Sequence, residues 1–401
     1  MTEVAVLLST KSTTLGFSNS YADCLKFLKV SGWESEYTSI DRLLRHLGRK
    51  TGSKGTKRAY LKRIYFLCIH LNMNPDEIIT LPKHQIEEFV QTYADGYHNG
   101  TYSPAYINNN VLAPLRTLFN VNGFKGGHAL DIEGYYVPPR YRKTLEYVPT
   151  KYEIYSMADN TGSLKGRVII LVLYSSGLRP STLRALLYKD VKEELAKDFY
   201  NIMIPVYPEM KLIEPAACKN NIPYYTFICD EATIALKLYL RERIEKLGTI
   251  SDSEPLFASE YKLIPKIERK NKILCPRQLQ DIVKTPAKRV IPQKGTYVSP
   301  RSLRKAFESV LHSELVEGGH LDPKVQEFLI GHMLPGSQDN YFDRDKVEEL
   351  RVEYSKLNFG RATFSNKFKV LKQAVAKAFQ GTGLDPEEVM REYMQMKQNR
   401  C

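Results

Sequence analysis

The chain has 401 residues and a net charge of +13. That length exceeds one ordinary hydrophobic core and implies two or three domains, and the basic balance favours a polyanionic partner over a generic solvated face. The longest apolar run, Val168 to Tyr174, falls far short of the roughly 20 residues a membrane span needs, and Met1-Thr2-Glu3 begins no secretory signal, so a cytoplasmic protein without a membrane partner is expected.

Residues 1–36 are poorly patterned and read as an N-terminal extension. Residues 37–121 read as a helical domain. Ile40, Leu43, Leu44 and Leu47 recur at helical spacing, as do Tyr60, Ile64, Leu67 and Cys68. Further stripes run through Ile86, Phe89 and Val90, and through Ile107, Val111, Leu112, Leu115 and Leu118. From Arg42 to Arg63 lie nine Lys or Arg and no acid. Within this stretch Gly48–Arg58 superficially resembles a phosphate loop, but lacks the GxxxxGK[ST] order. It reads as a basic loop that would hold the polyanion through Arg49, Lys50, Lys54, Lys57 and Arg58. Residues 122–149, with Gly123, Gly126, Gly127, Gly134, Pro138, Pro139 and Pro149, have a linker composition.

Thr150-Lys151-Tyr152-Glu153 is a capping box that opens the second domain, residues 150–345. A helix over Arg167 to Ser175 should stop at Gly177. Another should start at Pro180 and carry Leu183, Leu186 and Leu187 on one face. Tyr200 to Val206 and Tyr224 to Ile228 are strand-like. Asp230 should cap a helix that runs to Leu247 and stops at Gly248. Between Lys262 and Lys305 lie thirteen basic residues and two acids, a second basic cluster. Helices should start at Ser299-Pro300 and at Asp322-Pro323. Residues 346–401 form a helical tail, with apolar stripes at Val347 and Leu350 and at Phe368, Leu371, Val375 and Phe379. This tail would dock on the body or on a neighbouring subunit. The six cysteines form no CxxC or Cys/His cluster, so reduced thiols and no metal are expected. The fold class implied is mainly α with a small β-sheet.

Three fragments carry the chemistry: Ser176-Gly177-Leu178-Arg179-Pro180, Ser299-Pro300-Arg301-Ser302-Leu303-Arg304-Lys305, and Leu329-Ile330-Gly331-His332 followed nine positions later by Tyr341. Each alone is weak; their order and the His-to-Tyr spacing make the signal. Here the sequence resembles the tyrosine recombinase/integrase family. The resemblance covers residues 150–345 on these motifs, and residues 37–121 match that family's N-terminal core-binding domain by arrangement only. Ile330 replaces the family's leucine, and Arg301 stands where a His or Lys usually precedes the second arginine.

The resemblance implies that Tyr341 attacks a DNA phosphodiester and forms a 3′-phosphotyrosine. Arg179 and Arg304 would stabilise the charge of the transition state, because a guanidinium fits phosphate oxygens in bidentate fashion and stays protonated. His332 would take the phenol proton. Lys219, on the hairpin, would protonate the leaving hydroxyl, with Lys211 as the alternative. Arg301 suits phosphate binding and argues against acid/base work at that position, while Lys305 would add to DNA binding. The plainer readings are a surface ion pair for each arginine, a satisfied helix-terminal histidine for His332 and an ordinary packed tyrosine for Tyr341. Tyr354 is the nearest rival nucleophile.

No cofactor is implied, since the phosphotyrosine stores the bond energy. The partners implied are double-stranded DNA, embraced by the two domains, and further copies of the chain, four on DNA. Integration or excision of a viral or plasmid element is the first expectation, and Arg301 and the long tail point to a divergent, archaeal-type mobile element. Multimer resolution, a type IB topoisomerase-like nicking and closing activity, and non-cutting DNA binding are the alternatives.

Overall fold

The apolar stripes fold as amphipathic helices in a computed structural model that describes residues 20–98, 101–139, 146–197, 200–259, 264–316, 318–334, 336 and 338–360. The chain divides into two compact units, residues 1–145 and 146–401. Both are mainly helical, and the described strands form only two-stranded sheets.

In the first unit, α1 (Tyr21–Phe27) and the short β1–β2 pair (Val30–Ser31, Glu34–Ser35) precede α2 (Thr38–Lys50) and α3 (Lys54–Leu71). Ile40, Leu43, Leu44 and Leu47 of α2 are all buried against Ile64, Leu67 and Cys68 of α3's core face, in the cluster that also takes Cys24 and Leu28. α3 ends where Asn72 adopts a left-handed backbone, which asparagine tolerates. Then come α4 (Pro75–Thr80), capped reciprocally by Asn74 and Glu77, and α5 (Lys83–Asp95). The last helix runs from α6 (Pro104–Ile107) through a π-turn at Asn108–Leu112 into α7 (Ala113–Val121). The Gly- and Pro-rich chain beyond it is strapped back: Arg116 Nη2 donates to Ile132 O at 2.6 Å and Asn108 Nδ2 to Tyr135 O at 2.7 Å.

In the second unit, Thr150 and Glu153 cap α8 (Lys151–Asp159) as the sequence predicts. The organising element is α9 (Leu164–Ser176). Every residue from Val168 to Ser176 is buried, because α8, α12 and α15 pack round it, the arrangement expected of a helix that is apolar on all sides. α10 (Pro180–Ala185) is shorter than expected. The backbone after it is captured by the chain opposite, with Leu256 N donating to Leu186 O at 2.8 Å and Leu187 bridged to Pro255, so Leu186 and Leu187 leave the helix. α11 (Lys189–Ala196) leads to β3 (Met203–Val206), which pairs antiparallel with β4 (Tyr224–Phe227). In α12 (Asp230–Leu247) the N-cap position falls to Cys229 rather than Asp230, with no side-chain capping hydrogen bond. α13 (Lys266–Arg269), α14 (Pro276–Val290), α15 (Pro300–Leu311), α16 (Pro323–Leu329), α17 (Gln338–Tyr341) and α18 (Val347–Ser355) complete the described chain.

Gly177 ends α9 in a left-handed conformation, φ +61°. The last carbonyls of a helix lack intrahelical partners, and here three in a row are satisfied by side chains from three different elements. Tyr354 Oη of α18 donates to Ser175 O (2.6 Å), Thr226 Oγ1 of β4 to Ser176 O (3.0 Å), and Arg304 Nη1 of α15 to Gly177 O (2.6 Å). Part of the tail is thereby docked on this unit's own core. Arg351 of α18 also pairs with Glu194 of α11 at 2.9 Å and lies over the Phe227 ring, and Phe359 stacks on Phe307. The apolar stripe at Phe368, Leu371, Val375 and Phe379 lies outside the described residues.

A Cβ on Gly177 would sit 2.2 Å from the Phe307 ring. Gly177→Ala should therefore cost about 2–4 kcal/mol of unfolding free energy, left-handed strain plus overpacking. Gly162→Ala, also at positive φ but with nothing within 4 Å of the new methyl, should cost about 1 kcal/mol. Equilibrium urea unfolding of the two variants measures the difference.

Candidate active site

Arg304 is the centre of the motif residues. It is 7% exposed, on the core side of α15. Nη1 donates to Gly177 O, two residues before Arg179, and Nη2 donates to Ile330 O at 2.7 Å, two residues before His332. One guanidinium thus ties the first and third sequence fragments to the second. The C-terminal end of α9 carries partial negative charge, which favours a cation there. The nearest carboxylate is Glu308, 3.5 Å from Nε. Burial, and next the charge of Arg179, lower the Arg304 pKa.

Arg179 is the N-cap residue of α10, in extended backbone between Gly177 and Pro180. It is half-buried. Among the described residues its guanidinium has no recorded hydrogen bond or ion pair, although it lies close enough to act electrostatically on Arg304, Tyr224 and Cys218. Two cations are thus held close together, with one carboxylate at the edge.

His332 follows Gly331 at the end of α16. Its Nδ1 lies 2.7 Å from Glu327 Oε2, and the ring is exposed. A neutral imidazole that donates from Nδ1 to this carboxylate presents Nε2 as an acceptor. Gly331 is required by its backbone and its neighbour: φ is +67°, and a Cβ would lie 2.3 Å from the Tyr224 ring. Arg301 is exposed in the first turn of α15, three residues before Arg304 and so on a neighbouring part of the helix surface. No ion pair or hydrogen bond engages it among the described residues. Lys305 is half-buried and paired with Glu146, so this cation is already occupied within the unit.

Tyr341 ends the four-residue α17; its side chain lies outside the described residues. The backbone on either side is anchored near His332. Leu334 N donates to Asp339 Oδ1 at 3.4 Å, Arg344 pairs with Asp339 at 2.6 Å, Phe342 packs on Phe328 of α16 with ring centroids 4.8 Å apart, and Tyr225 Oη of β4 donates to Arg344 O. The rival, Tyr354, is fully buried, its hydroxyl committed to Ser175 O and its pKa pushed well up by burial. It is a core residue.

Lys219 is exposed in a loop where Cys218, Asn220 and Asn221 all take positive φ. Lys211 is half-buried, donates to Asn221 Oδ1 at 2.5 Å, and faces the same Cys218 thiol that Arg179 faces. Lys211 and Arg179 both act electrostatically on that thiol, while Lys219 is exposed. Tyr224, buried between the two arginines, is the site neighbour that the motif reading missed. Its only sequence signal is the alternation of β4, which puts it on the same face as Thr226.

In the first unit, Gly48–Arg58 is not an extended loop. α2 continues through Lys50 and α3 begins at Lys54, leaving three residues between them, because Ser53 caps α3 through Thr56 N. Arg49, Lys50, Lys54 and Arg58 are exposed there. Lys57 turns inward, donating to Gly32 O and lying 4.9 Å from the Trp33 ring, and burial lowers its pKa. Arg58 lies over Tyr21 at 4.9 Å. On α14, a concavity of about 510 Å³ is lined by Arg277, Lys284 and Lys288 among others.

One group of metal-ligating side-chain types occurs among the described residues: Cys229, Asp230 and Glu231, within 4.8 Å of one another. They lie at the N-terminus of α12, whose partial positive charge disfavours a cation. No described helix is long and apolar enough to cross a membrane.

No protein-family model and no curated protein matches the sequence. Among solved structures, the chain is similar to the Tn1549 transposon integrase in complex with transposon right-end DNA, at 15% identity, TM-score 0.46, over 84% of this chain and 99% of that one. It is similar to the XerH site-specific recombinase bound to its difH substrate, at 16% identity and TM-score 0.44, over 82% and 96%. It is also similar to the integrase from mycobacterium phage Brujita, at 12% identity and TM-score 0.36, over 88% and 98%.

An oxyanion that fills the site should relieve the repulsion between Arg179 and Arg304 and stabilise the fold by mass action. Sulfate at constant ionic strength should raise the Tm of the wild type and raise it distinctly less in Arg179→Ala. Equal shifts in the two proteins would remove Arg179 from the anion site.

Proposed function

We propose that this chain is a DNA strand transferase, a recombinase or integrase that cuts and rejoins DNA through Tyr341. The observation that carries this reading is the Arg304 clamp, which holds the Arg179 and His332 segments around one anion site. A phosphodiester gains negative charge on its non-bridging oxygens as attack proceeds, and aimed, water-poor guanidinium groups are worth roughly 3 kcal/mol each to such a transition state.

In this reading the Tyr341 oxygen attacks phosphorus and His332 Nε2 takes its proton. The bond to the 5′ oxygen breaks, and that oxygen leaves with a proton from a hairpin lysine, Lys211 or Lys219. The 3′-phosphotyrosine keeps the bond energy, so a 5′ hydroxyl from the same or another strand can reverse the step without a nucleotide cofactor. Arg301 stays charged at any working pH and serves as a further phosphate contact. Arg49, Lys50, Lys54 and Arg58 in one unit, and the basic face of α14 in the other, supply exposed cations for a duplex backbone. The assembly proposed is a homo-oligomer, four copies on DNA, that integrates or excises a mobile element. Resolution of multimers uses the same chemistry on a different substrate.

Covalent trapping on nicked duplexes tests the nucleophile. Wild type should yield a DNA-linked band after denaturation, Tyr341→Phe none, and Tyr354→Phe should retain the band while losing about 1 kcal/mol of stability with its buried hydrogen bond. A band that survives in Tyr341→Phe would place the nucleophile elsewhere. Tight DNA binding with no band from any of them would leave a non-cutting DNA-binding protein. Replacing Arg49, Lys50, Lys54 and Arg58 together by Gln should weaken DNA binding and lower the slope of log K against log salt by up to about 3.6 if all four contact phosphates. An unchanged slope would take this segment off the interface.

A further inference from the structure

Tyr224 opens β4 and is 6% exposed. Three of the motif segments meet around it. Its ring lies against the backbone of Gly331, close enough to exclude any Cβ there. Its hydroxyl oxygen is buried and lies beside the Arg304 guanidinium, near enough for a hydrogen-bonding interaction that falls outside strict hydrogen-bond geometry. What faces that oxygen is charge: burial pushes the phenol pKa up, and the guanidinium groups of Arg304 first and Arg179 next pull it back down. A buried hydroxyl needs a partner, and the side chain that supplies one is Arg304.

The Arg304 fork explains what could use it. A guanidinium has five N–H bonds in one plane. One N–H on each Nη is committed to a carbonyl, at Gly177 and at Ile330, and Nε faces Glu308. Those contacts fix two points of the fork at the protein side, and the Tyr224 hydroxyl is a third group that interacts with it. A polar oxygen beside the guanidinium limits how the fork rocks about those two points.

We propose that Tyr224 is a positioning residue of the anion site, its phenol oxygen orienting the Arg304 fork toward the scissile phosphate while its ring fixes the Gly331-His332 turn. The proposal rests on the reading of the site as a DNA-cleaving centre, but its physical core, the control of Arg304 by Tyr224, is measurable without DNA. The two functions of the side chain are also separable. Tyr224→Phe keeps the ring against Gly331 and removes only the oxygen, whereas Tyr224→Ala removes both.

The experiment uses the full chain. With nitrogen-15 arginine labelling, the Arg304 Nη signals, assigned by their loss in Arg304→Lys, should be resolved and slowly exchanging in wild type and averaged in Tyr224→Phe. In single-turnover trapping, Tyr224→Phe should form the covalent adduct about tenfold more slowly with unchanged DNA affinity, the pattern of an interaction made only in the transition state. The loss should be non-additive with Arg304→Lys, because a lysine has no fork to orient. Arg304 signals that are identical in wild type and Tyr224→Phe would overturn the proposal whatever the cleavage result. So would averaged signals with an unaltered adduct rate, or a rate loss fully additive with Arg304→Lys. If wild type forms no adduct at all, the cleavage reading fails on its own terms, and the Arg304 signals still decide whether Tyr224 holds the fork.

Discussion

A single buried guanidinium holds the second unit's chemistry together. Arg304 lies 127 residues after Gly177 and 26 before Ile330 in sequence, yet it donates to both carbonyls. Without that cation, the end of α9 would present an unsatisfied carbonyl in the core, and the turn before His332 would lose its tie to the rest of the site. Breaking such a contact from one side leaves a buried group unpaired, which costs several kcal/mol, so fold and site share one point of failure.

The end of α9 shows how the fold makes room for this. Its last carbonyls are distributed to α18, β4 and α15 through Tyr354, Thr226 and Arg304. Each donor brings a different element to one point, and each element carries a part of the candidate site: α15 the arginine, β4 the side chain that abuts Gly331, and α18 the chain that leaves Tyr341. Docking of α18 in the core fixes the far end of the segment that holds Tyr341, while Phe342 and Asp339 fix the near end. The tyrosine therefore sits between two anchored points, and its close rival in sequence, Tyr354, is one of the anchors.

Much of this was legible in the sequence, for physical reasons. The stripes at Ile40 to Leu47 and Ile64 to Cys68 are buried as their period requires. The Thr150 capping box, the stop at Gly177 and the starts at Pro180, Pro300 and Pro323 are local signals that need no tertiary information, and all appear where they should. Signals that depend on distant chain did not read correctly. The Leu186-Leu187 stretch is helical in pattern but is taken by a backbone pairing with the distant Pro255-Leu256. Gly48–Arg58 looks like a loop by composition, but the Ser53 cap and two helix ends claim most of it. Arg179 and Arg304 stand out in the sequence because a motif needs few positions, and the fold brings the two close together. The turned-in Lys57 and the Lys305–Glu146 pair depend on which side chains the fold brings together.

The electrostatics follow from the same constraint. Burying Arg304, and next bringing Arg179 close to it, opposes folding, and the lowered pKa of Arg304 reflects the two in that order. Three things offset it locally: the dipole of α9, the two carbonyl acceptors, and Glu308 at the edge. None of the three neutralises Arg179. A site built this way stabilises charge that develops in the transition state without reorganising at the moment of reaction. Its cost is carried by the packing of α9, which is why the most buried helix of the unit is also the one whose end forms the site.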